Sequence, residues 1–129
     1  MVSILLVEDH TDFANVLVRL LNMTDDLAIT SVAKNAEAAM KELPSRKFDL
    51  VLVDVSLPQV NGISLVGMIQ TRYPDLPCLM LSGHRLSHYV KGALAAGARG
   101  YILKDNASGI IEGIRQVLKG GIYVSEELR

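Results

Sequence analysis

Four apolar runs in this chain of 129 residues end on residues suited to handling a phosphoryl group. Ile4-Leu5-Leu6-Val7 runs into Glu8 and Asp9, Leu50-Val51-Leu52-Val53 into Asp54, Cys78-Leu79-Met80-Leu81 into Ser82, and Tyr101-Ile102-Leu103 into Lys104. Gathered at one edge, three carboxylates, a hydroxyl and an amine make a magnesium site with a nucleophile and a counter-charge. A carboxylate oxygen of Asp54 can attack phosphorus in line and form an aspartyl phosphate. Because such transfers pass through a loose transition state, a protein contributes mainly positioning and charge neutralisation. Glu8 and Asp9 offer the hard oxygen ligands that Mg²⁺ prefers. Without a cation, the three carboxylates repel one another, raise at least one pKa and titrate as a coupled set. Lys104 is a flexible point charge able to reach Asp54 and then the phosphoryl oxygens. Ser82 offers a hydroxyl to one of those oxygens.

The elements that must position these groups follow from the pattern between them. Short continuous apolar runs separated by helical spacing read as parallel strands buried on both faces. In open α/β sheets, ligands bind beyond the carboxyl ends of such strands, at a topological switch point. Phe13, Val16, Leu17, Leu20 and Leu21 give the first helical stripe, with Thr11 or Asp12 near its start. Leu27 to Ala33 is mixed in polarity, as an edge strand is. Asn35 caps a helix burying Ala36, Ala39, Met40 and Leu43, which Pro44 closes. Asn61 caps a third helix carrying Leu65, Val66 and Ile69 and ending before Pro74. The fourth runs from Leu86 to Ala96 and stops at Gly97, and the fifth, capped by Asn106, carries Ile110, Ile111, Ile114, Val117 and Leu118 up to Gly120-Gly121. Strand–helix units with right-handed crossovers give an α/β, doubly wound parallel sheet covered on both faces.

Composition narrows the class. Half of the residues are hydrophobic and 21% are charged, as in a compact folded domain. Mean hydropathy is +0.29, but no apolar run approaches the roughly 18 residues of a spanning helix, so no membrane role is expected. The acids at positions 8 and 9 interrupt the first apolar stretch, which is therefore no signal peptide. One cysteine, Cys78, excludes an intrachain disulfide and reads as a small buried hydrophobe, consistent with a cytoplasmic location. Net charge is −1, with 13 scattered Lys and Arg, so this chain is not expected to bind DNA on its own. His10, His84 and His88 lack the mutual spacing of a metal site.

The acid pair Glu8-Asp9, Asp54 followed by Leu57-Pro58 and Gly62, Ser82-Gly83, and Gly100-Tyr101-Ile102-Leu103-Lys104-Asp105 together resemble the receiver domain of bacterial two-component response regulators. The ending Gly120-Gly121-Ile122-Tyr123-Val124-Ser125 looks like the NarL/FixJ-type (LuxR-like) subfamily, in which a receiver leads into a helix-turn-helix. The resemblance implies a single (βα)5 flavodoxin-like sheet of order 2-1-3-4-5. It implies a receiver over residues 1–121, with 122–129 a tail beginning a linker to a DNA-binding domain outside this chain. Asp54 becomes the phosphoacceptor, with Asp9 and Asp54 as direct Mg²⁺ ligands, Glu8 acting through water and Ser56 giving a backbone carbonyl. Ser82, Lys104 and Tyr101 become readers of the phosphoryl group, Tyr101 by turning inward, although a half-buried strand tyrosine is the plainer alternative. Ser56 and His84 border the site.

The implied function is to take a phosphoryl group from a sensor histidine kinase and switch a transcriptional output. Such a domain is no enzyme beyond its own phosphorylation and dephosphorylation. A phosphorylation-dependent homodimer is expected through the fourth helix, fifth strand and fifth helix, or through the first and fifth helices, with Arg85, Tyr89 and Lys91 near the switch. A stand-alone receiver signalling by protein contact is the alternative. A haloacid-dehalogenase-type phosphatase is disfavoured because Ser56 stands where those enzymes place a second acid. A flavodoxin is disfavoured because the first strand leads into two acids rather than a phosphate-cradling loop.

Overall fold

The computed structural model describes residues 1–85 and 87–129. The apolar runs form strands β1 (Val2–Val7), β2 (Leu27–Ala33), β3 (Leu50–Asp54), β4 (Cys78–Ser82) and β5 (Gly100–Leu103), joined by a short β6 (Tyr123–Val124). They make one parallel sheet of order 2-1-3-4-5-6. Between the strands run helices α1 (Thr11–Asn22), α2 (Ala36–Glu42), α3 (Gly62–Arg72), α4 (Ser87–Ala95) and α5 (Ala107–Leu118).

Alternation along each strand feeds two cores. Ile4, Leu6, Leu50, Leu52, Leu79 and Leu81 pack against Ala14, Leu17 and Leu21 of α1 and Ile110, Ile114 and Val117 of α5. Leu5, Val7, Val51, Val53 and Met80 point the other way, onto Ala39 of α2, Leu65, Val66 and Ile69 of α3, and Ala93 of α4. Each large aliphatic side chain so buried contributes roughly 1.5–3 kcal/mol, which is why these runs tolerate no polar interruption before their carboxyl ends. The polar residues are therefore pushed to one edge of the sheet.

Helix starts follow the capping chemistry of short polar side chains. Asn35 accepts from the Ala38 amide at 2.7 Å, Asn61 from Ser64 at 2.9 Å and Asn106 from Gly109 at 3.0 Å. Gly97 and Gly120 adopt φ of +110° and +91° beyond α4 and α5, the left-handed conformation that ends a helix most cheaply with glycine. Leu86, where the sequence places the start of the fourth helix, lies outside the described residues.

Three features differ from the sequence reading. The cap of α1 is His10, whose Nδ1 accepts from the Phe13 amide at 3.3 Å. Val16 is 59% exposed, because Ala14, Leu17 and Leu21 define the face that α1 turns to the sheet. The segment after Gly121, read as the start of a linker, returns to the sheet: Tyr123 and Val124 pair with Gly100 and Tyr101, giving six strands where five were expected. A 3₁₀ turn over Glu126–Leu128 follows.

Ser125 anchors this tail. It is fully buried, its amide donates to the Tyr101 carbonyl at 2.9 Å, and its Oγ accepts from the Leu103 amide at 3.0 Å. Ser125→Ala strands that amide in the interior and is expected to cost about 1–2 kcal/mol, read as a lower urea midpoint. An unchanged midpoint would show that another group satisfies the Leu103 N–H.

Candidate functional site

The chain passes from β1 out to β2 and then back across to β3, so the sheet's switch point lies between β1 and β3. Register there sets Val7 beside Val53, and the next residues of both strands emerge together. Glu8, Asp9 and Asp54 each offer a carboxylate oxygen, and these oxygens all lie within 4.8 Å of one another. Ser82 ends β4 and lies buried, and Lys104 follows β5 with its amide donating to the Ser82 carbonyl at 3.0 Å.

Burial divides the acids. Glu8 and Asp54 are 1% and 3% exposed, whereas Asp9 is exposed. The Lys104 ammonium stands 2.8 Å from Glu8 Oε1 and 3.1 Å from Asp54 Oδ2, and 4.7 Å over the ring centroid of Phe13. The buried Glu8 Oε1 has the Lys104 ammonium as its partner among the described residues. Burial pushes the Glu8 carboxyl up to about 7; Lys104 works against that rise, while the Asp54 carboxylate adds to it. For Lys104, burial disfavours the charge, but Glu8 and Asp54 outweigh it and hold the ammonium above its usual range. Three carboxylate oxygens clustered in this way are the hard oxygen donors that fit a divalent cation.

The loops that frame these groups are tied across the site. Ser56 donates its amide to Asp54 Oδ1 at 3.1 Å, and its Oγ lies 3.1 Å from Nε2 of His84. The His84 amide donates to Ser82 Oγ at 2.8 Å, and its carbonyl accepts from the Tyr101 hydroxyl at 3.0 Å. Tyr101 is fully buried. Burial raises its phenol above the usual range. Arg85 pairs with Asp105 at 2.8 Å and with Glu127, while His84 stacks on Tyr89 with centroids 4.8 Å apart.

Of the residues singled out from the sequence, Glu8, Asp9, Asp54, Ser56, Ser82, His84 and Lys104 thus lie at the carboxyl ends of β1, β3, β4 and β5 or in the loops that leave them, whereas Tyr101 is the second residue of β5 and reaches the site region through its hydroxyl on the His84 carbonyl. Two participants were missed. Phe13 under Lys104 carries no sequence signal beyond its place in the α1 stripe. Gln59, at φ +68°, sits in the tight turn that the Val60 amide closes onto the Pro58 carbonyl at 2.8 Å; a non-glycine residue gives no hint of this left-handed conformation. Gly62, already singled out in the sequence for its place after Asp54 and Leu57-Pro58, lies against the Asp54 backbone. An open cleft lined by Leu43, Pro44, Phe48, Tyr73 and Leu76 lies towards the amino ends of β3 and β4, away from these groups. No described helix is long and apolar enough to cross a membrane.

A family model described as the response regulator receiver domain matches residues 4–115. The transcriptional regulatory protein DegU of Brevibacillus brevis is 32% identical over 124 residues, covering 95% of this chain and 52% of that protein. The DNA-binding transcriptional activator DevR/DosR of Mycobacterium tuberculosis is 37% identical over 105 residues, 81% of this chain and 48% of its own. The chain spans about half the length of these curated relatives. A crystal structure of a LuxR-family two-component response regulator from an Aurantimonas species is similar with a TM-score of 0.94 and 26% identity, covering 98% of this chain and 91% of that one.

Proposed function

This chain belongs to the response regulator receiver domain family, and from that premise we propose that it accepts a phosphoryl group on Asp54 from the phosphohistidine of a sensor kinase. The observation that carries this reading is the Lys104 ammonium within ion-pair reach of both Glu8 and Asp54, where three carboxylates converge. A carboxylate oxygen of Asp54 forms the new bond to phosphorus as the phosphorus–nitrogen bond of the donor breaks, its electron pair returning to the imidazole. Lys104 neutralises charge on the carboxylate before transfer and on the phosphoryl oxygens after it. Asp9, Asp54 and the Ser56 carbonyl would hold Mg²⁺, with Glu8 acting through water; when bound, the ion supplies charge neutralisation at the phosphoryl oxygens. Ser82 offers its hydroxyl to the incoming group, and Ser56 and His84 control approach to it.

Charge added at the sheet edge biases a two-state equilibrium in the segment from Ser82 to Arg85 and in Tyr101. The output is transcriptional, since the relatives are transcriptional regulators. In this reading it acts through self-association and through a DNA-binding domain outside this chain. The domain is a signalling element in the cytoplasm, catalysing only its own phosphorylation and dephosphorylation.

Mass spectrometry after incubation with acetyl phosphate and Mg²⁺ should find one added phosphate, absent in Asp54→Asn. Undiminished labelling of that variant would end the proposal.

A further inference from the structure

We infer that Arg85 is a clasp joining the loop at the mouth of the carboxylate site to the C-terminal segment 123–128, and that phosphoryl acceptance at Asp54 opens it. The inference rests on the function proposed above. One planar guanidinium holds two carboxylates, Asp105 in the loop after β5 and Glu127 in the terminal 3₁₀ turn. Glu127 lies 42 positions along the chain from Arg85.

The residue before Arg85 is tied to the site from three directions. The His84 ring meets Ser56 beside the acceptor, its amide donates to Ser82 Oγ, and its carbonyl accepts from Tyr101. Rotation of Ser82 about its Cα–Cβ bond towards a phosphoryl oxygen on Asp54 carries Oγ off the His84 amide, now 2.8 Å away, and releases one of the three ties on the residue before Arg85. Residues 83–85 then take a different path, and the guanidinium moves with them. At the other end, β6 is two residues long and pairs only with Gly100 and Tyr101; beside that pairing, the Tyr123 amide donates to the Arg99 carbonyl at 3.0 Å, the Ser125 amide to the Tyr101 carbonyl at 2.9 Å, and Ser125 Oγ accepts from Leu103. Tyr101 joins both ends, since its hydroxyl meets the loop and its carbonyl meets the tail. The charged groups of the clasp are half-exposed, so each contact is weak. A weak tie on a short strand is what a modest local rearrangement can undo.

Hydrogen exchange of the Ser125 and Leu128 amides tests this. In the unphosphorylated protein, Arg85→Ala and Glu127→Gln should each speed exchange roughly three- to five-fold, with no further gain in the double variant. Wild type treated with acetyl phosphate and Mg²⁺ should show the same acceleration, and the variants no additional one, although they still take a phosphate on Asp54. Unchanged exchange in the unphosphorylated variants overturns the clasp. Unchanged wild-type exchange with one phosphate verified on Asp54 by mass overturns the coupling. Absence of that phosphate overturns the proposed function and the coupling with it, while the unphosphorylated variants still report on the clasp alone.

Discussion

Gly62→Ala is expected to cost at least ~3 kcal/mol of stability and to impair phosphoryl acceptance. A Cβ on Gly62 would overlap the backbone carbonyl oxygen of Asp54 and lie 2.8 Å from its carbonyl carbon and 3.0 Å from Cα of Val55. None of these is the end of a flexible side chain. The Gly62 amide also donates to the Val55 carbonyl at 2.9 Å, so the start of α3 is pinned where the clash occurs. Either α3 retreats, opening the packing of Leu65, Val66 and Ile69, or the peptide carrying Asp54 tilts away from Lys104. Gly67→Ala is the internal control: it lies within α3 with nothing within 4 Å of its would-be Cβ, and should stabilise by up to about 1 kcal/mol through helix propensity. Urea unfolding of both variants reads the difference. A Gly62→Ala protein within about 1 kcal/mol of wild type would mean that α3 and the acceptor loop are not in register as described.

Without divalent cations, stability should fall as pH rises from about 4.5 to 7. Glu8 titrates near 7 in the folded protein against an ordinary value of 4.5. Across that window the folded state keeps a proton that the unfolded chain has released, and the balance tips toward unfolding as pH increases. The slope is at most ~1.4 kcal/mol per pH unit and the total a few kcal/mol at most. Lys104 does not offset it here. Its folded value is raised above 10.5, so its contribution is fully present below that pH and lost only as pH rises beyond it. Asp26, lowered below 3.8 by the Arg115 guanidinium, acts only under more acid conditions. Urea midpoints at pH 5, 6, 7 and 8 in chelator check this, with Glu8→Gln expected to flatten the slope. A cation that needs ionised carboxylates should restore stability at the upper end. A midpoint that climbs between pH 5 and 7, or the same slope in Glu8→Gln, would refute the assignment.

By itself the amino-acid sequence determined five of the six strands and the caps of three helices, and named the residues of a candidate chemistry. Continuous apolar runs such as Leu50 to Val53 have no amphipathic alternative to burial on both faces, and Asn35, Asn61 and Asn106 each cap the helix start next to them. Local physics also put the polar residues after the strands, which is why Glu8, Asp9, Asp54, Ser82 and Lys104 could be named before any contact was known. The order of strands came from resemblance, since periodicity does not say which strands are neighbours. Tertiary structure alone decided the rest. Val16 fits the α1 stripe as well as Leu17 does, and only the orientation of the helix on the sheet turned it outward. Two residues, Tyr123 and Val124, are too short to read as a strand, and the open edge of β5 made them one. Arg85 and Glu127 are ordinary surface charges in the sequence. Their pairing exists because Arg85 follows β4 and Glu127 follows β6, the two strands that flank β5, and separation along the chain carries no trace of that.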